Sequence, residues 1–284
     1  MRRLALRQQR PSDVRAIAAA ATDCLLLELE TWPKPGLVSH IDRGSHSDMD
    51  VDTFRSSAIS IEPYFEALAA AGARGGGMTQ LRIIGLEAEA AMLEATSGIN
   101  THRGAIFGLG LLCAAAGARA DGRTMPAESL GAAVSRLWAE GILDGPVLLR
   151  SHGSEARRRF GAGGARLEAA TGFPSIYKVG LPALRSAALK MPDDGEAARV
   201  EACFALIASL EDTNLLHRGG PAGLEFARRA ASRFLDKGGV AAPDWRERAR
   251  AVHDSFMTRR LSPGGSADLL AMTLFVAASE RQVP

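Results

Sequence analysis

The sequence predicts an all-α protein. Alanine is very abundant, β-branched alternation is nearly absent, and apolar residues recur at helical spacing along most of the chain. Glycine, proline and small polar residues interrupt that pattern at about helix-length intervals, where caps and stops belong.

The elements follow in order. Ser12 is a candidate cap for a helix running to about Leu29, with Ile17, Ala20, Ala21, Cys24 and Leu25 on one face. Pro33-Lys34-Pro35-Gly36 stops it, because two prolines cannot continue the hydrogen-bond ladder. A polar loop covers Ser39 to Asp50. The next helix starts near Asp52, carries Phe54, Ile61, Phe65 and Leu68, and breaks at Gly75-Gly76-Gly77. Thr79 is placed to cap a helix from Gln80 to about Thr96, closed by Gly98. Asn100 or Thr101 caps another from about Arg103 to Ala116. Pro126, Pro221, Pro243 and Pro263 each stand at a first helical position, where a missing N–H does no harm. Further helical patterns run near 194–210 and 266–279. The pattern is weakest over 145–185, where a small β-hairpin has room. About ten helices in a single domain over 1–284 is the simplest reading, with no repeat at a fixed period.

Composition excludes several classes. With 284 residues, 46% hydrophobic and 23% charged, the chain is neither disordered nor a coiled-coil rod. A net charge of +2 makes no case for nucleic acid or a membrane surface. The longest uncharged apolar run, Gly104 to Ala118, falls short of the roughly 18 residues a transmembrane helix needs. The basic N-terminus is interrupted by Asp13, Arg15 and Asp23 and does not read as a signal peptide. Cys24, Cys113 and Cys203 are widely spaced, odd in number and set in apolar stretches, so they read as buried thiols of a cytoplasmic protein. There is no GxxxxGK[ST] phosphate loop, no strand-linked GxGxxG, no HExxH and no GxSxG.

Polar residues and glycine instead gather at helix ends. Asn100-Thr101-His102-Arg103-Gly104 and Ser262-Pro263-Gly264-Gly265-Ser266 both read as helix N-termini with exposed main-chain N–H groups, which suits phosphate. Phe160 to Glu168, which includes Arg166, and Asp212-Thr213-Asn214 with Arg218-Gly219-Gly220 also put polar, charged and glycine residues together at helix ends. Lys34 is held between two prolines, so its ammonium is aimed with little ordering cost. His46 and Asp48 sit two apart in a loop, as a solvated turn or a metal-binding pair. Glu28 and Glu89 interrupt apolar stretches, where an unpaired carboxylate is costly. Glu87 and Glu89 face opposite sides of a helix, so at most one points inward.

Four of these segments, Pro33-Lys34-Pro35-Gly36-Leu37-Val38, Gly44-x-His46-x-Asp48-Met49, Asn100-Thr101-His102-Arg103-Gly104 and Ser262-Pro263-Gly264-Gly265-Ser266-Ala267-Asp268, occur in an order that resembles the triphosphoribosyl-dephospho-CoA synthase family. The resemblance spans about Glu28 to the C-terminal helix. It implies an all-α fold and a reaction in which ATP and 3′-dephospho-CoA give 2′-(5″-triphosphoribosyl)-3′-dephospho-CoA and adenine. It implies that the product is passed on toward the acyl carrier subunit of citrate lyase or malonate decarboxylase. Ser39 stands where the citrate-lyase branch has Asp, Asp42-Arg43 and Gly44-Ser45-His46 depart from its next motif, and Arg103 replaces a lysine. These departures look more like the malonate decarboxylase branch.

That reaction has an oxocarbenium-like transition state, and ATP implies magnesium held by hard oxygen ligands. Glu28, Asp48 and Glu89 look like the family's acidic residues, for metal or base roles. His46 is a second candidate base. Lys34, His102, Arg103, Arg166 and Arg218 are candidate phosphate ligands, with Asn100, Thr101, Gly264, Gly265 and Ser266 supplying the helix starts. Asp212, Asn214 and Asp268 are placed to orient a ribose or stabilise its charge. The competing readings are a magnesium-dependent all-α hydrolase of an ADP-ribose or nucleotide N-glycosidic bond, and a non-enzymatic helical binding protein. Alanine-rich helix faces suit a homodimer as well as a monomer's core.

Overall fold

Asp13 opens the first helix, α1 (Val14–Leu29), by accepting a hydrogen bond from the Arg15 N–H. The computed structural model describes residues 13–125, 127–145 and 164–280, so Ser12, Pro126 and the glycines at 161 and 163 lie outside the described residues. Asp50 and Thr53 cap α2 (Val51–Ala73) reciprocally, each side chain serving the other's main-chain N–H. Gly77 precedes α3 (Met78–Ala95), so this helix begins ahead of Thr79, the expected cap. α4 (Arg103–Ala120) runs four residues past its expected end, and Asn100 Oδ1 accepts from the Arg103 N–H at 3.2 Å.

Ser129 caps α5 (Leu130–Leu143). Over 164–190 the chain forms α6 (Gly164–Ala170), a π turn (Ile176–Gly180) and α7 (Leu181–Lys190), and no hairpin occurs there. Asp194 caps α8 (Gly195–Ser209) and Asp212 caps α9 (Thr213–Asp236). α9 breaks at Gly220, whose φ of 61° is left-handed, and Pro221 restarts it. A short 3₁₀ turn (Gly239–Ala241) leads to α10 (Trp245–Thr258), which begins two residues after Pro243. α11 (Gly264–Ser279) begins directly after Pro263. The result is eleven α-helices and no strand among the described residues, an all-α fold as the sequence predicts. No described helix is long and apolar enough to cross a membrane.

Two helices form the centre. Every residue from Gly108 to Ala118 of α4 and from Leu269 to Val276 of α11 is buried. An apolar surface all round marks a helix enclosed by others. α2 packs along α4 and also meets α1 and α3, while α8 packs on α7, α9 and α11. All three cysteines are buried free thiols.

α2 and α4 touch backbone to backbone. A Cβ on Gly72 would sit 1.9 Å from Ala114 O, and one on Gly117 would sit 1.9 Å from Ala69 O. Main-chain atoms cannot rotate aside as a side chain can, so the helices must separate. Each Gly→Ala change gains about 1 kcal/mol of helix propensity, while overpacking costs about 1–3 kcal/mol. The double variant Gly72→Ala/Gly117→Ala is therefore expected to unfold at lower urea concentration than the parent, with an unchanged m-value. A gain in stability would mean that the close approach does not constrain this pair.

Candidate active site

Three helix N-termini, those of α4, α9 and α11, meet the C-terminal turn of α1 and the loop that follows it. At this junction Lys34 has no exposed surface. Its Nζ lies 2.5 Å from Glu28 Oε1 and 2.7 Å from Glu28 O. Glu28 is buried, and its carboxyl is raised by desolvation in spite of the ammonium beside it. The loop is anchored from α10: His253 Nδ1 lies 2.5 Å from Lys34 O, and Nε2 lies 3.2 Å from Asp42 Oδ1.

Asp212 takes four hydrogen bonds. Oδ1 accepts from the N–H groups of Asn214 and Leu215, and Oδ2 from Ser266 N–H at 2.9 Å and Ser266 Oγ at 3.1 Å. One carboxylate thus caps α9 and α11 together, with Gly265 lying against it and Gly264 against the Asn214 amide. Desolvation still raises its pKa. Asp268 is partly accessible and rests on the first turn of α4, where a Cβ on Gly104 would come 2.0 Å from its Oδ2. Its carboxyl is raised well above the usual range by desolvation first, then by the Asp212 and Glu28 carboxylates, and only the Ala105 N–H opposes this. Both helix starts expected to bind phosphate therefore hold carboxylates of the chain itself.

His102 is buried beside this group. Its Nδ1 lies 2.6 Å from Ser57 Oγ, and Phe54 meets the ring edge-on at 5.0 Å. Desolvation, then the Lys34 charge, depress its pKa to about 3. It therefore offers a phosphate no positive charge near neutrality. Thr101 Oγ1 donates to Ser57 Oγ at 2.7 Å.

A second group lies at the rim. Arg218 Nη2 lies 3.2 Å from His46 Nδ1, and His46 Nε2 lies 2.8 Å from Ser262 Oγ. Arginine only donates, so Nδ1 accepts and Nε2 carries the hydrogen toward Ser262. Desolvation and Arg218 hold His46 at a pKa of about 4, against the opposing pull of Asp48. Asp48 is 60% exposed, its Oδ1 3.7 Å from His46 Nδ1. On a third side, Glu89 Oε2 pairs with Arg103 Nε at 2.8 Å, while Glu87 is exposed.

The three acids expected around a metal stand in separate pairs: Glu28 on Lys34, Asp48 by His46, Glu89 on Arg103. Among the described residues no group of three His, Cys, Asp or Glu side chains is arranged to hold a metal ion. Arg166 also stands apart, its guanidinium donating to the carbonyls of Ile142, Leu143 and Gly145 at the end of α5. The sequence reading missed Ser57, His253 and Cys203. Ser57 sits mid-helix with no local signal. Cys203 reads as core, yet it is close enough to feel Lys34, Glu28 and Asp212.

A buried acid–ammonium–imidazole cluster, with arginines at its margins, is the equipment of a helical enzyme that acts on an anionic substrate. Residues 14–283 match the family model of ATP:dephospho-CoA triphosphoribosyl transferase. The chain is 41% identical over 275 residues to a Stutzerimonas stutzeri protein named "probable 2-(5''-triphosphoribosyl)-3'-dephosphocoenzyme-A synthase", covering 95% of this chain and 93% of the relative. Proteins of the same name from Pseudomonas putida and Vibrio cholerae are 39% and 36% identical, over 92% of this chain and 93% and 87% of theirs. The chain belongs to the ATP:dephospho-CoA triphosphoribosyl transferase family. No solved structure matches it.

The two depressed histidines set an acid limb of stability. Their folded pKa values, about 4 and about 3, lie below the unfolded value of 6.5. The unfolded chain then binds more protons as pH falls through 6.5, so stability is lost on acidification, by at most about 1.4 kcal/mol per pH unit for each ring. The raised carboxyls pull the other way, so the readout is a difference. Wild type is expected to lose more stability between pH 7 and pH 5 than the His46→Asn/His102→Gln double variant, by urea titration. Equal losses would overturn the assignment of neutral rings.

Proposed function

We propose that the chain carries out the family's triphosphoribosyl transfer at the junction of α4, α9 and α11, with Asp268 as the proton-transfer group. The observation that carries this reading is the contrast between the carboxylates. Asp212 is saturated by four donors and Glu28 is tied to Lys34, whereas Asp268 is partly accessible and opposed only by the Ala105 amide. A raised carboxyl with a free oxygen is suited to move a proton near neutral pH.

The reaction breaks the glycosidic C–N bond of ATP and forms a C–O bond from the same ribose carbon to the 2′-hydroxyl of 3′-dephospho-CoA. Asp268 gives its proton to the departing adenine and takes the 2′-hydroxyl proton in return, so the step balances and the carboxyl ends as it began. Positive charge on the ribose develops next to three carboxylates offset by one ammonium, which favours an oxocarbenium-like transition state. Arg218 and Arg103, both partly open to solvent, receive the triphosphate. His46, kept neutral by burial and then by Arg218, orients that arginine. The separated acids do not fit a resident magnesium site, so magnesium enters as the counter-ion of the triphosphate, part of the substrate. Ser39, Asp42-Arg43 and Gly44-Ser45-His46 favour delivery of the product toward a malonate decarboxylase carrier subunit. Three buried thiols suit a reducing cytoplasm.

The test mixes protein, ATP, magnesium and 3′-dephospho-CoA, and follows free adenine and the mass of the CoA product. Adenine is expected in step with a triphosphoribosyl adduct. Adenine released without dephospho-CoA would replace this reading with a hydrolase. Asp268→Asn is expected to lower kcat about 10²–10⁴-fold with the helical circular dichroism unchanged. Retention of full activity would remove Asp268 from the proton-transfer role.

A further inference from the structure

Ser57 lies on α2 with no exposed surface, between two partners supplied by the approach to α4. Thr101 Oγ1 donates to Ser57 Oγ at 2.7 Å, and Ser57 Oγ lies 2.6 Å from His102 Nδ1. Each hydroxyl has one proton to give. Ser57 receives one from Thr101 and passes its own to Nδ1, so Nδ1 is an acceptor and the ring hydrogen resides on Nε2. The bond to Ser57 is the ring's one hydrogen bond to any described residue. Main-chain and aromatic contacts fix the rest: the His102 N–H donates to Met92 Sδ at 3.2 Å, and the Phe54 ring stands edge-on. Nε2 is not among the fully enclosed polar atoms that lack a partner, so its hydrogen reaches open space, where a bound ligand can accept it.

We propose that Ser57, itself held by Thr101, is a positioning residue that fixes His102 as a neutral imidazole whose Nε2–H donates to an oxygen of the bound nucleotide. This rests on the transferase reading above and deepens it. The nearby Lys34 ammonium opposes a second positive charge, which agrees with a ring that stays neutral. An N–H donor cannot take the 2′-hydroxyl proton, so His102 is excluded as the base, and Asp268 keeps that task. The pairing also explains why Ser57 lacks a cap or turn role: its hydroxyl is spent on the ring.

Two readouts test it. The first is the nitrogen chemical shifts of His102 by long-range ¹⁵N–¹H correlation on the full chain. Wild type is expected to show a protonated Nε2 and bare Nδ1 from pH 5 to 8. Ser57→Ala is expected to show mixed tautomers, and Ser57→Thr, which keeps the hydroxyl, the wild-type pattern. A wild-type ring protonated on Nδ1, or charged at pH 7, overturns the proposal. The second is kinetic. Ser57→Ala is expected to lower kcat about 10–100-fold while the KM for ATP changes little, with recovery in Ser57→Thr. His102→Gln, whose side-chain N–H₂ reaches toward the place of Nε2, is expected to keep more activity than His102→Ala. If folded His102→Gln and His102→Ala are equally inactive, the donor role falls. Failure of the transferase reading looks different: wild type would show the expected ring pattern and release no adenine.

Discussion

One buried ammonium stands against three carboxylates, and the geometry of the site depends on that imbalance. Lys34 is enclosed completely, and Glu28 takes two of its three N–H bonds, one on the side chain and one on the main chain. Enclosing such a pair is unfavourable in itself, and removing either partner typically costs about 3–5 kcal/mol because the other charge is stranded. The pair nonetheless ties the last turn of α1 to the loop beyond the prolines. That loop carries His46 and Asp48 to the rim. The neutralisation ends with Glu28, so Asp212 and Asp268 must find other support.

Their support comes from helix ends. Carboxylates at an N-terminus gain about 0.3–1 kcal/mol each from the dipole, up to about 2 when partly buried. Desolvation is the larger effect here, because all three carboxyls stay raised. The two aspartates differ in what remains free. Asp212 is locked by two helix starts and serves architecture, bringing α9 and α11 to the same point. Asp268 lies against Gly104 with one amide behind it, and this close fit is why the second residue of α4 has no side chain.

Much of this was legible in the sequence. Alanine content and helical spacing give the all-α class, and proline and glycine place the breaks to within a few residues. Lys34 stands out through its prolines, and Glu28 through its apolar neighbours. What was not legible is long-range. Asp268 reaches Gly104 across the fold, and Asp212 reaches Ser266, so each of the two segments that read as anion sites meets a carboxylate of the chain itself. A local pattern states which donors a helix start offers, not which side chain of another helix takes them. Ser57 was invisible for the same reason: a serine inside a helix looks ordinary until Thr101 and His102 are seen on either side. Glu89 over Glu87 needed Arg103 to decide it.

The arrangement also sorts the charges of a nucleotide. Acids lie deep, at the meeting of the three helix starts, while Arg218 and Arg103 lie further out, the first held by His46 and the carbonyls of Ser45 and Arg260, the second by Glu89. A ligand with a polyanionic tail and a centre that becomes positive during reaction matches that gradient when the tail is at the rim and the centre is inside. The reverse orientation would put phosphate oxygens against Asp212 and Asp268, where repulsion in a poorly hydrated site is strongest. These carboxylates turn the positive ends of three helices into holders of negative charge, and so set which end of the substrate enters first.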